Sequence, residues 1–424
     1  MADETQVPTA PTTPQHLPFL TLVLLLLMAL HAFHGPVRAW VSGRYRAVAM
    51  FGRALDLCLE EYVEPRPAPE LVHSAIDGMV QGLKDRHSAF LPPMAHRRLQ
   101  ENETDRYGGL GIVVALTPEE KLLINRVFDD SPAARAGLMQ GDIILWALEH
   151  DPQGLREPVK HDFAAVKNLS WTSNVLRGES GSKVTLGIRR NATDLEITVV
   201  RGEVRRPVIE TRMLEGGLGF LRLGDFPDGA AAKVAQGIAD LRAKGARGLV
   251  LDLRANDGGF LDEAVRIADL FIPEGVIVST QNRSPGENRT FHATRGNPGE
   301  DLPMVVLVDG ASASAAEVLA GALQDHGRGK LVGVKTYGKG AVSKRFPLGD
   351  GSGILLSTGR YILPKGRSIE GTGIEPDLVV RHLSREEIKK LGLAPGVSPP
   401  DPQLDAAAKL LAEQLAAPPP APAP

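Results

Sequence analysis

Apolar residues follow three different rhythms along this chain, and each predicts a different kind of structure. Val48, Phe51, Leu55, Leu59 and Tyr62 recur at spacings of three and four, which predicts an amphipathic helix that Pro65 and Pro67 end. Leu71, Ala75, Met79 and Leu83 repeat that spacing and predict a second helix. From Tyr107 to about Arg201 the pattern changes to short strands: Gly108 to Val113 opens one and Lys121 to Val127 makes another. A polar loop with two prolines is expected over Glu149 to Asp162, and a helix over Asp162 to Leu176. Beyond about Leu218, strands (Leu218 to Leu223, Gly248 to Leu253, Met304 to Val308) alternate with helices (Ala230 to Lys244, Leu261 to Phe271). Such alternation predicts an α/β core with helices packed on a sheet, so the fold class is α/β (α+β) and multidomain. A last helix, Leu404 to Leu415, precedes a Pro/Ala tail too poor in apolar bulk to fold.

One segment stands outside these rhythms. Leu17 to Phe33 is almost wholly apolar and about the shortest length that spans a bilayer as a helix. It reads as a signal peptide or a membrane anchor. Val37-Arg38-Ala39 offers small residues where a signal peptidase reads, favouring cleavage before Trp40, and retention as an uncleaved anchor is the alternative. The flanking charges point the other way. The leader has no Lys or Arg, whereas Arg38, Arg44, Arg46 and Arg53 follow the segment, which by the positive-inside rule keeps the C-terminal side in the cytoplasm.

Bulk composition excludes more than it identifies. With 424 residues the chain can build two or three full cores, and 48 Lys+Arg against 51 Asp+Glu leave a charge of −3, so no basic field argues for nucleic acid. Cys58 is the only cysteine, which rules out an internal disulfide. The histidines lack the close spacings of a metal site, so no metal or other cofactor is expected, and His73, His87 and His96 read as surface or helix-packing residues. Gly333 to Lys339 fits the opening of a phosphate-binding loop, but Gly340 stands where the Mg²⁺-binding Ser/Thr belongs.

The chemistry concentrates in two short motifs. The apolar strand in VVLVDGASASAAEVLAGALQD delivers Ser312 and Ser314 to the start of a helix, where N–H groups and the dipole favour developing negative charge. Lys339 follows in the glycine-flanked turn KTYGKG. A lysine desolvated in an apolar pocket can lose its proton near neutral pH and take one from a serine. On residues alone Ser312 and Ser314 compete for that role, and either can be an N-cap. His326 lies about 18 Å along the helix from Ser314, at about 1.5 Å per residue, and is too far to be its base.

These motifs resemble the carboxyl-terminal processing proteases, also called tail-specific proteases. The family pattern S-A-S-A-[SA]-E followed by [FY]-G-K-G matches Ser312 to Glu317 and Tyr337 to Gly340. The resemblance implies that Ser314 is the nucleophile of a Ser/Lys dyad and Lys339 its general base. The run Asp252-Leu-Arg-Ala-Asn256-Asp-Gly258-Gly259 resembles the family's D-L-R-x-N-x-G-G, which implies an oxyanion hole from Gly258 or Gly259 together with the N–H of Ala315. Gly109-Leu110-Gly111-Ile112, followed by Ser131 to Asp142, resembles a PDZ domain, whose loop N–H groups hold a peptide carboxylate while the next strand pairs with the peptide. One departure is clear. The family commonly has Gln four residues after the lysine to hold its amine, and this chain has Ser343, which reaches about two bonds less far and works directly or through water.

The resemblance spans roughly Arg44 to Leu415 and implies a serine endopeptidase that takes substrate C-terminal tails and hydrolyses them through an acyl-enzyme. The expected organisation is a leader (1–16), signal peptide or anchor (17–39), helical region (44–106), PDZ domain (107–203), protease core (204–398), helix (399–415) and tail (416–424). Partners implied are protein or peptide substrates, a homodimer through the N-terminal helices, and a membrane through 17–33 if uncleaved. The resemblance also implies export, so a periplasmic or inner-membrane location facing the periplasm is expected against the charge asymmetry. Two other readings stay open: a peptide-binding scaffold that lost hydrolysis through Ser343, and an esterase or amidase on small substrates that would not need Gly109 to Ile112.

Overall fold

The computed structural model describes residues 45–103, 106–117, 120–151, 157–163, 169–205, 207–392 and 399–416. The apolar run at 17–33 and the tail from 417 lie outside them. Among the described residues no helix is long and apolar enough to cross a membrane. The chain divides after Gly82 into two units.

The first unit holds α1 (45–60) and α2 (Ala68–Gln81), where the three-and-four spacing predicted them. Val48, Phe51 and Leu59 on α1 remain exposed.

The second unit begins with β1 (Ala89–Leu91) and α3 (Pro93–Glu103), then β2 (Arg106–Gly109). An antiparallel sheet follows, built from β3 (Ile112–Leu116), β4 (Leu122–Val127), the short α4 (Pro132–Arg135), β5 (Ile143–Glu149), β6 (Val159–Asp162), α5 (Leu169–Leu176), β7 (Lys183–Arg190) and β8 (Thr193–Val200). Its order is β3-β4-β5-β7-β8, with β6 added on β5, so β3 is an edge strand. The return strand β9 (Gly202–Arg205) pairs with β2, Tyr107 opposite Val204, and closes the module's two ends on each other. The helix expected over Asp162 to Leu176 starts only at Leu169 among the described residues. Asp162 instead sits opposite Trp146, because the segment after the proline-bearing loop completes the β5 ladder.

The remainder is a parallel α/β layer. Its elements are β10 (Ile209–Leu214), β11 (Leu218–Leu223), α6 (Ala230–Ala243), β12 (Gly248–Asp252), α7 (Leu261–Asp269), β13 (Val276–Asn282), β14 (Arg289–His292), β15 (Met304–Val308), α8 (Ala315–Asp325), β16 (Lys330–Gly333), β17 (Ala341–Pro347), β18 (Gly353–Ile362), β19 (Leu378–Val379), α9 (Arg385–Lys390) and α10 (Pro402–Ala416). The main sheet runs β10-β11-β12-β15-β16-β19, parallel except for β10. All five residues of β12 and of β15 are buried, which is what a strand covered on both faces requires. Leu249, Leu251, Val306 and Val308 face a core shared with α6, α7 and α8, while Val250, Val305 and Leu307 face Ala407 and Leu411 of α10. The period-2 alternation of a strand thus feeds two cores from one apolar run. A second sheet runs β1-β18-β13-β14, with β17 on β18.

Candidate active site

Three segments that matter chemically leave the carboxyl ends of three neighbouring parallel strands. The Arg254–Gly259 turn follows β12, Ser314 follows β15, and Lys339 follows β16. In an open parallel sheet those ends form the crevice where ligands bind.

The turn before Ser314 is tightly sewn. Asp309 Oδ1 accepts the N–H groups of Ala311, Ser312 and Ala255, each at 3.0 Å. Ser312 donates its hydroxyl to Leu253 O at 2.8 Å and accepts Asp309 N–H at 2.9 Å. Ser312 is fully buried and its hydroxyl is occupied by the neighbouring turn. Ser314 has φ 56° and ψ −117°, a sparsely populated region for a residue with a Cβ, and it opens α8. Gly258 makes room for it. A Cβ there would stand 2.8 Å from Ser314 Cβ and 3.0 Å from Ala315 N, and φ 109° also requires glycine.

Glu317, one turn into α8, ties Ser314 to Lys339. It is fully buried, and its carboxylate accepts four donors: Ser314 N–H at 3.0 Å and Lys339 N–H at 2.8 Å on Oε2, Gly338 N–H at 2.7 Å and the Thr336 hydroxyl at 2.5 Å on Oε1. The shared Oε2 holds the Ser314 and Lys339 backbone nitrogens less than about 6 Å apart. Tyr337 N–H adds a direct bond to Ser312 O at 3.1 Å. The sequence signal for Glu317 is its position three residues after Ser314 at the helix start, the spacing of a capping box. The Lys339 side chain is half-buried.

Among the candidate oxyanion donors, Gly258 N–H is already donated to Asn256 Oδ1 at 2.9 Å, and Asn256, fully buried, donates onward to Leu223 O at 2.8 Å. The N–H groups of exposed Gly259 and of Ala315 have no acceptor among the described residues. Ser343 lies on β17, opposite Ser357 on β18, and its buried hydroxyl has no hydrogen-bond partner among the described residues. Tyr361, 6% exposed on β18, bonds through its backbone N–H to Gly340 O at 2.8 Å, and its phenol lies beside the Ser314 side chain. Burial pushes that phenol up to about 12, Ser314 pulls it back by less, and Asp262 adds to the rise.

Of the surface and packing positions the sequence left open, His87 and His96 take packing ones: they are 8% and 5% exposed, His87 Nε2 lies 3.0 Å from Glu370 Oε1, and His96 Nδ1 lies 2.9 Å from Gly351 O. The physical reason is that both belong to a segment that straps the β17–β18 hairpin, with Phe90 opposite Ile354. The phosphate-loop likeness also ends, because the N–H groups of Gly338, Lys339 and Gly340 each donate to a carboxylate and none is left for a phosphate. His326 is used elsewhere, on Val276 O at 2.7 Å.

Gly109, Leu110, Gly111 and Ile112 run from β2 into the edge strand β3. Leu110 is buried, its O accepts Ala133 N–H at 2.8 Å, and Gly111 O accepts Phe128 N–H at 2.9 Å. The Leu110 and Gly111 N–H groups bond no other described residue. A Cβ on Gly111 would meet Ser131 Cβ at 2.4 Å, so this approach demands glycine.

Comparison with known proteins agrees with this arrangement. The pattern of peptidase family S41 matches residues 217–380. A carboxy-terminal-processing protease of Bartonella bacilliformis is 34% identical over 362 residues, covering 84% of this chain and 80% of the relative. A carboxyl-terminal-processing protease of a Synechocystis species is 36% identical over 363 residues, again covering 84% and 80%. A solved structure from Bacteroides fragilis, classed with the S41 proteases, superposes with a TM-score of 0.53 at 19% identity, over 80% of this chain and 90% of that one, which is a likeness of fold.

Two outcomes follow from the site's geometry. Glu317→Gln places an amide NH₂ against donors, and is expected to lower stability by about 3 kcal/mol, read by guanidinium denaturation. A loss under about 0.5 kcal/mol would show that the four bonds are not what holds the site. For Tyr361 the folded value lies above the unfolded value of 10, so its contribution is complete below pH 10 and is lost as pH rises through about 12. Tyr361→Phe should remove that part of the alkaline decline, seen as a flatter stability curve between pH 10 and 12 than the parent's.

Proposed function

The chain belongs to the S41 family of carboxyl-terminal processing serine proteases, and on that premise we propose that it cuts protein substrates with a Ser314/Lys339 dyad after capturing their C-terminal tails. The observation that carries this reading is the single buried carboxylate oxygen of Glu317 shared by the backbones of Ser314 and Lys339. It holds the backbones of the proposed nucleophile and base, which otherwise belong to separate loops, close to one another.

In the proposed reaction the Ser314 hydroxyl proton passes to the Lys339 amine as Oγ bonds to the scissile carbonyl carbon. The carbonyl π electrons move to oxygen, and the oxyanion lies between the N–H groups of Ala315 and Gly259, the two candidates that carry no other acceptor. Collapse breaks the C–N bond, and the departing amine takes the proton from the Lys339 ammonium. Water then attacks the acyl-enzyme while Lys339 accepts its proton, and the released Ser314 oxygen takes that proton back.

Tail capture is supported by the unpaired Leu110 and Gly111 N–H groups beside an edge strand. A terminal carboxylate can sit on the first and an extended peptide can add to β3, as in a PDZ domain. Exposed Val48, Phe51 and Leu59 on α1 support a homodimer through the N-terminal helices. The apolar run at 17–33 supports export, with the catalytic body in the periplasm or anchored to the inner membrane on that side.

An unfolded substrate with an apolar tail tests the whole reading. Ser314→Ala and Lys339→Ala should each lower kcat by at least about a hundredfold, with products read by mass spectrometry. A parent that binds the tail without cutting it would favour a scaffold and make Ser343 the first suspect. Amidating the substrate's C-terminus should raise KM by about tenfold or more through loss of charge-assisted hydrogen bonds. Equal cutting of acid and amide tails would refute capture by the carboxylate.

A further inference from the structure

The turn that carries Lys339 is gripped from a second side, by residues that no motif singled out. Glu370 Oε2 accepts Gly340 N–H at 2.8 Å. Its other oxygen lies 3.0 Å from His87 Nε2 and 3.5 Å from Arg86 Nη2. Arg86 Nη2 also donates to Gly338 O at 2.6 Å, where Gly371 N–H adds a bond at 3.0 Å, and its guanidinium lies 5.5 Å from the Tyr337 ring centroid. The peptide groups on both sides of Lys339 are thus held individually. Gly338 is held through its O by Arg86, and Gly340 through its N–H by Glu370, while Glu317 takes the N–H groups of Gly338 and Lys339.

Three consecutive N–H groups therefore point at two carboxylates, which is an anion-binding curl of backbone with protein side chains as its anions. Such a curl holds its shape only while both carboxylates stay in place. Glu317 lies inside four donors, but the Glu370 side chain is 24% exposed and receives only one N–H from the turn, so its position depends on His87 and Arg86. Both come from one short segment, Asp85 to Ser88, about 250 residues earlier in the chain. The same segment is fastened to the hairpin beyond Lys339: Ser88 bonds Asp85 at 2.5 Å and accepts Ser357 N–H at 3.0 Å. A lysine side chain has about 2 kcal/mol of rotamer entropy, so a base on a loose turn spends most of its time off target.

Resting on the dyad reading, we propose that Arg86, His87 and Glu370 are positioning residues that set Lys339 against Ser314. They do not touch the reacting atoms. Their effect belongs to turnover and not to substrate capture, because the residues proposed for tail binding are on the β2–β3 segment, which pairs into other sheets.

The test uses the full-length chain and two readouts: kcat and KM on a tailed substrate, and the rate at which a small fluorophosphonate labels Ser314. Glu370→Ala is expected to lower kcat by about tenfold or more with KM within about twofold, and to slow labelling in the same proportion. Glu370→Gln keeps an acceptor for Gly340 N–H and should fall between parent and alanine. If Glu370→Ala fails to fold, Arg86→Ala, at a half-exposed side chain, carries the test, with Arg86→Lys recovering part of its loss in kcat. Unchanged kcat in Arg86→Ala and Glu370→Ala, or a loss seen wholly in KM, overturns the proposal while leaving the dyad intact. Labelling that survives in Lys339→Ala but disappears in His87→Gln overturns the dyad itself and makes His87 the base.

Discussion

A carboxylate buried beyond the reach of water is tolerable only if donors replace its hydration, and at Glu317 that requirement organises the site. An ionised group in such a position costs several kcal/mol unless it is compensated. Here the compensation comes from Ser314, Thr336, Gly338 and Lys339, plus the positive end of the α8 dipole. The dependence runs both ways. The carboxylate needs the loops in place, and the loops have no regular ladder of their own and need the carboxylate.

The parallel sheet supplies the second constraint. β12, β15 and β16 are neighbours, so three loops with no sequence proximity emerge side by side at their carboxyl ends. The strain at Ser314 is affordable there because its surroundings over-determine it. Ala313 N–H is fixed on Asn256 O at 2.9 Å, Ser314 N–H is fixed on Glu317, and Gly258 lacks the Cβ that would collide with Ser314. Arg254, at the head of the turn that runs to Gly259, forms a further brace, with bonds to Asp252 and to Asp401 at 2.8 Å that tie the turn to the start of α10.

Much of the scaffold was legible because its signals are local. Strands buried on both faces announce themselves as unbroken apolar runs, so Gly248 to Leu253 and Met304 to Val308 were read within a residue or two. The helix expected over Asp162 to Leu176 was misread because residues 159–162 owe their extended form to pairing with β5, which no local pattern displays. For the same reason no local pattern separates surface from packing positions for His87 and His96. Their burial arises from β1 joining β18, a pairing between segments more than 250 residues apart.

The sequence by itself determined the alternating architecture, the Ser314-bearing strand-to-helix turn, the glycine turns and the lysine turn, because each is written in residues close together along the chain. Tertiary structure decided that the Ser312 hydroxyl is held by the neighbouring turn, that Gly258 gives its N–H to Asn256, and that Glu317, Glu370, His87 and Arg86 converge on one turn. Those outcomes depend on hydrogen bonds between loops that only the closing of the sheet brings within 3 Å or so of each other, and a buried donor or acceptor has no preference for its partner until that partner arrives.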